Sequence, residues 1–76
     1  MTIVSASQPV TVGPPDSEGG RLVHVHGVPV GRAYGRWDLV VFLGRAGLRE
    51  GLADEDQIAV SPLIRWLGGG ADQWDP

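Results

Sequence analysis

The segment "RLVHVHGVPVGRAYGRWDLVVFLGRAGL", residues 21–48, decides the fold of this chain. Its first residues alternate between two faces, one carrying Leu22, His24 and His26 and the other carrying Val23 and Val25. This period of two predicts a half-buried strand. Gly27 permits a turn, and "PVGRAY" predicts the returning strand, with a bulge at Gly31. The segment therefore begins with a β-hairpin.

The second half of the segment carries signals for both helix and strand. The Val-Val pair at 40–41 favours a strand. Asp38, however, is a good helix N-cap, and Trp37 before it can pack on Phe42 as a hydrophobic staple. At the other end, Gly47 suits the left-handed position of a Schellman ending. Because both ends indicate a helix, we predict one from Leu39 to Ala46.

The Schellman ending also predicts that Leu48 packs back on Leu43. Beyond it, "EGLADEDQIAV" predicts an acidic turn followed by a strand from Gln57 to Val60. "SPLIRWL", residues 61–67, is ambiguous: Ser-Pro is typical of a helix start, whereas the alternation that follows suits a strand. Extended structure is favoured for this stretch, with the helix left open.

The N-terminal residues divide into two parts. "TIVSASQPVTV", residues 2–12, predicts a strand that Pro9 would confine to a sheet edge, and "GPPDSEGG" predicts a linker. We expect residues 1–20 to form an arm and linker, 21–67 a small domain, and 68–76 a flexible Gly-rich tail. The fold class is α+β: a small mixed β-sheet with one covering helix, in the order hairpin, helix, strand.

The composition of the chain limits the classes of function that it can have. The chain has 76 residues, no cysteine and a net charge of −3, with all six basic residues arginine. This charge argues against nucleic acid as a partner. No signal peptide and no membrane-spanning stretch is recognisable, so we expect a cytoplasmic protein. Because a chain this short buries a small core, a homodimer or a larger protein partner would help to stabilise it. No cofactor is indicated.

The candidate site residues each have a structural alternative. His24 and His26 would share one strand face, but a metal site needs a third ligand, so we interpret them as solvated and assign no metal. The acidic run 54–56 and Ser61 carry no catalytic signal, and we expect no enzyme. For partner contact the candidates are Trp66, Trp74, Asp72 and Asp75, because tryptophans are frequent at protein interfaces. Trp74 is favoured since it follows the glycines, where a core would not easily reach it.

Two stretches resemble the small ubiquitin-like sulfur carriers of thiamin and molybdopterin synthesis. "VHGVPVGRAYGRWDLVVFLGRAGL" is similar to their opening hairpin and helix, with His26-Gly27 in the turn, Gly35 before the helix and Ala46-Gly47-Leu48 at its end. "LADEDQIAVSPLIRWLGGG" is similar to their closing part. There the matching positions are Leu52, Asp54, Asp56, Ile58 and Val60.

The resemblance implies a β-grasp-like fold and a carrier function. In that family an activating enzyme adenylates the carboxylate of the last glycine, which becomes a thiocarboxylate, so Gly68, Gly69 and Gly70 would form the carrier tail. Residues 71–76 would first have to be removed. The family's strand between the helix and the acidic turn is missing here, and residues 2–12 could replace it. The alternative is a non-catalytic interaction protein that presents Trp74 to a partner.

Overall fold

A computed structural model describes residues 8–75. The strands are β1 (Val10–Val12), β2 (Arg21–Val25), β3 (Val28–Ala33) and β4 (Ile64–Trp66), and the helices are α1 (Arg36–Arg45) and α2 (Glu55–Val60). The sheet order is β3-β2-β1-β4; β1 pairs antiparallel with β2 and parallel with β4, and β2 pairs antiparallel with β3. This small mixed sheet with helices confirms the predicted α+β class and is consistent with a β-grasp-like fold. It has a second helix that we did not predict.

The predicted hairpin is confirmed as β2 and β3. His26 and Gly27 have φ values of 51° and 80°, so two successive residues are left-handed, as in a type I′ turn. Pairing changes register after Val23, which lies opposite Gly31. The predicted bulge is therefore confirmed. Glycine is required at this position because a Cβ would lie 2.9 Å from Cζ of Phe42, so its bare backbone lets the first helix pack close to the hairpin.

The N-terminal strand lies inside the sheet, so its predicted edge position was wrong. β1 is flanked by β2 and β4. Pro9 is tolerated because it precedes the first paired residue, and its carbonyl accepts a hydrogen bond from His26 N at 2.7 Å. Residues 2–7 of the predicted strand lie outside the described residues. The arm therefore contributes a central strand at 10–12.

α1 begins three residues before the predicted start. Its N-cap is Gly35, and Asp38 lies in the first turn, where its carboxylate accepts a hydrogen bond from Tyr34 N at 2.9 Å. The predicted N-cap and staple were therefore wrong. The predicted ending is confirmed: Gly47 has φ 81°, and Leu48 N donates to the carbonyl of Leu43 at 2.8 Å.

The strand predicted from Gln57 to Val60 was also wrong, because these residues belong to α2. Asp54 caps this helix, accepting a hydrogen bond from the backbone N–H of Gln57 at 2.9 Å. The Gln57 side chain in turn accepts from Ala53 N at 2.7 Å. This reciprocal capping satisfies backbone donors that a strand would leave for another partner. This local network outweighs the preference of the β-branched Ile58 and Val60 for extended structure.

The core lies between the helices and one face of the sheet. Its buried hydrophobic residues are Val10, Val12, Val23, Val25, Ala33, Leu39, Leu43, Leu52, Ile58 and Ile64. The extended structure favoured for 61–67 is confirmed by β4. No helix in the described part of the chain is long and apolar enough to cross a bilayer.

Candidate functional site

Arg21 is a fully buried charge at the centre of the C-terminal region. It begins β2 on the same face as Val23 and Val25, and its side chain has no exposed surface. All five guanidinium N–H groups point at backbone carbonyl oxygens 2.7–2.9 Å away. We call these acceptors the carbonyl cage; they belong to Gly13, Leu67, Gly69, Gly70 and Gln73. The negative ends of five carbonyl dipoles stabilise a charge that burial would otherwise disfavour.

Two tryptophans complete the surroundings of this guanidinium. Its carbon lies 5.2 Å from the ring centroid of Trp66 and 5.5 Å from that of Trp74. The two rings meet edge to face, with centroids 6.2 Å apart. Burial lowers the pKa of Arg21 from its ordinary value, but an arginine stays protonated in proteins, so it can serve as a permanent donor. Aromatic faces add a favourable cation–π interaction.

The glycines after β4 allow the chain to turn around Arg21. Gly68 has φ 76°, and a Cβ there would lie 2.6 Å from Cβ of Pro14. Gly69 has φ 151°, and a Cβ there would lie 2.8 Å from Cγ of Gln73. Both positions need glycine for backbone conformation and space. Gly70 has no heavy atom within 4 Å of such a Cβ and contributes its carbonyl to the cage.

The residues after the glycines fold back on the domain, in contrast to the flexible tail expected at 68–76. Trp74 donates its indole N–H to the carbonyl of Ala71 at 2.7 Å, and its own carbonyl accepts from Gly20 N at 3.1 Å. Asp72 forms an ion pair with Arg36 at the start of α1. Trp74 is partly buried against the core, so the expectation that a core would not reach it does not hold.

The other predicted site residues are spread over the molecule. Trp66 is partly buried beside Arg21, whereas Asp72 and Asp75 are exposed. His24 is half-buried on β2, but His26 lies in the turn, so the two do not share a strand face as predicted. Within residues 8–75, no three His, Asp or Glu side chains come together as a group that could hold a metal ion.

A concave apolar surface lies along α1 and the residues that follow it. It has a volume of about 450 Å³. We call it the Trp37 groove; it is lined by Trp37, Val40, Val41, Gly44, Arg45, Arg49, Leu52 and Ala53. Trp37 stands at its rim with 59% of its surface exposed. The groove therefore combines an apolar floor, an exposed indole and two arginines.

A second depression adjoins the first and shares Trp37 with it. Its volume is about 410 Å³. We call it the acidic groove; it is lined by Arg36, Trp37, Asp54, Glu55 and Asp56. Arg36 is engaged by Asp72 and lies 4.0 Å from the carboxylate of Asp56, whose side chain is fully exposed. The free charge presented by this groove is therefore negative.

Sequence reasoning did not single out Arg21, and it gave Trp37 a packing role as part of a staple, although each carried a signal for the place it takes. The alternation that buries Val23 and Val25 places Arg21 on the same inward face. Trp37 precedes the buried Leu39 by two positions, about 200° around a helix, which directs it away from the core. The predicted start at Leu39 left Trp37 outside the helix, so this angle did not enter the prediction.

Comparisons with protein-family models, curated proteins and solved structures gave no match.

Proposed function

We propose that this protein is a small, non-catalytic interaction domain that docks a protein partner through the Trp37 groove. The observation that carries the proposal is the exposed indole of Trp37 at the rim of an apolar depression. Tryptophan is prominent among interface hot spots, which typically lie in or against pockets that exclude water. Contiguous apolar concavities with polar rims are typical of docking sites.

The alternative anchor, Trp74, is less suited to this role. Its indole N–H is already bonded to Ala71, and its ring lies against Arg21 and Trp66. A partner that withdrew Trp74 would break these contacts and open the carbonyl cage. Trp37 can contact a partner without any such cost, because its indole has no hydrogen bond to break among the described residues. The partner-binding role expected for the tail is therefore assigned to α1.

The test compares capture of partners by three immobilised proteins: wild type, Trp37→Ala and Val60→Ala. Val60 is a matched apolar control, 81% exposed and outside both grooves. Partners identified by mass spectrometry should be retained by wild type and Val60→Ala and lost with Trp37→Ala. Urea midpoints of the three proteins, measured in parallel, show that the fold is retained. Equal retention by Trp37→Ala would contradict the proposal.

A second candidate function is the latent sulfur carrier. It is supported by the course of β4, which pairs in parallel with the central β1 and ends at Trp66, two residues before Gly68. The glycines thus directly follow a strand of the sheet, as the carrier tail requires. Mass spectrometry of the protein from its native host tests this function: a chain ending at Gly69 or Gly70 is expected, and only full-length protein would argue against it.

A further inference from the structure

The two grooves beside Trp37 carry opposite charge. Arg45 and Arg49 line the Trp37 groove, and the carboxylates of Asp54, Glu55 and Asp56 line the acidic groove. Trp37 belongs to both, so it marks the boundary between the basic and acidic halves. A surface divided in this way is complementary to a copy of itself turned through 180° about an axis near the boundary.

We infer that the Trp37 groove is occupied by a second copy of this chain, in a two-fold symmetric dimer with Trp37 near the axis. This inference rests on the proposed function and names its partner. The Trp37 groove of each copy faces the acidic groove of the other, so every contact between opposite charges is made twice. Arg49 of one copy meets Glu55 of its partner, and the reverse.

The apolar part of the surface fits the same arrangement. Val40 and Val41 provide an apolar floor around Gly44. A Cβ at Gly44 would meet only Nε of Arg49, at 3.7 Å, so the surface above this glycine is open. Because Trp37 lies near the two-fold axis, the exposed indole of one copy can pack on the Trp37 groove of the other copy. This packing excludes water from the ion pairs that surround the groove.

The charge distribution favours a second copy over an unrelated acidic peptide. An acidic peptide would satisfy Arg45 and Arg49 but would meet repulsion from the run at 54–56 and from the net charge of −3. A second copy satisfies both charged halves at once. It also buries apolar surface for a chain whose own core is small. Dimerisation should weaken as salt concentration rises, because the rim charges are screened.

Charge reversal at Arg49 and Glu55 tests the pairing directly. Sedimentation equilibrium of the full chain should show a dimer, weakened about tenfold or more by Arg49→Glu alone or by Glu55→Arg alone, since each reversal places like charges together twice. An equimolar mixture of the two variants should form a heterodimer, and the double variant R49E/E55R should dimerise again. Trp37→Ala should be monomeric, with a urea midpoint showing that it is folded.

Three results would overturn the inference. They are a wild-type chain that stays monomeric at all concentrations, a dimer that survives Trp37→Ala, and single reversals whose effects the double variant does not repair. If the wild-type protein is monomeric but captures another protein that Trp37→Ala does not capture, the homodimer is refuted and the proposed docking function stands. Failure of both experiments would refute the docking function as well.

Discussion

Replacing Arg21 with Lys should strongly destabilise the fold, although the substitution keeps the positive charge. The lysine keeps the charge but has three N–H donors on a single nitrogen, whereas the guanidinium uses five in a plane. At least two carbonyls of the cage would lose their donor. The contact of the planar guanidinium with the rings of Trp66 and Trp74 would also be lost.

The expected magnitude follows from those two carbonyls. A buried acceptor left without a donor costs about 1–3 kcal/mol, so the loss of two donors in Arg21→Lys should lower the free energy of unfolding by about 2–6 kcal/mol. A domain of this length has a total stability of roughly 4–11 kcal/mol, so the loss is a large fraction of it. The loss of stability has an upper limit, because residues 67–75 can detach and hydrogen-bond to water instead. That limit is the free energy with which this segment packs on the rest of the domain.

Urea unfolding measures the effect. In a Trp37→Phe background, fluorescence reports on Trp66 and Trp74, the two rings beside Arg21. With a slope of about 1 kcal/mol per molar urea, the midpoint should fall by about 2 M or more. The control is Arg65→Lys, the same change at an exposed position on β4, where a shift within about 0.5 kcal/mol is expected. Equal midpoints for the two lysine variants would refute the carbonyl cage as a stabilising element.

Two further substitutions test local features by the same assay. Gly68→Ala should cost about 2 kcal/mol, because its φ is 76° and the new Cβ would lie 2.6 Å from Cβ of Pro14. The control is Gly70→Ala, where a Cβ would meet no atom and stability should change by less than about 0.5 kcal/mol. A larger loss of stability in Gly70→Ala than in Gly68→Ala would contradict this account. Asp54→Ala removes the N-cap of α2 and should cost about 1 kcal/mol. Asp75→Ala, at an exposed position outside any helix, is its control, and an equal effect of the two would show that the cap does not stabilise α2.

The parts of the fold that the sequence predicts are those fixed by neighbouring residues. The hairpin follows from alternation around His26-Gly27, and the end of α1 follows from Gly47 and Leu48, whose hydrogen bonds all lie within a few positions. α2 was missed because Ile58 and the residues beside it fit either period over so short a stretch, and the cap at Asp54 decided the outcome.

The carbonyl cage could not be predicted in the same way. Arg21 bonds to carbonyls 46–52 residues later, so no local pattern indicates the contact. The family resemblance assigns the glycines at 68 and 69 to a carrier tail, but a backbone without Cβ also allows close approach to Pro14 and Gln73 within the chain. Sequence shows that the backbone must be bare there, and only the structure shows which atoms come near it.

The carbonyl cage also distinguishes the two candidate functions, because the carrier function requires it to open and the docking function does not. A carrier tail must enter the active site of an activating enzyme, which would withdraw the carbonyls of Leu67, Gly69 and Gly70 from Arg21. Removal of residues 71–76 would take away a further acceptor, at Gln73, and the ring of Trp74. Carrier chemistry therefore competes with folding, and a weakened cage in Arg21→Lys should expose the glycines and increase processing of the tail. Docking through Trp37 makes no such demand, so for that function the same substitution should reduce stability and leave the affinity of the folded protein for its partner unchanged.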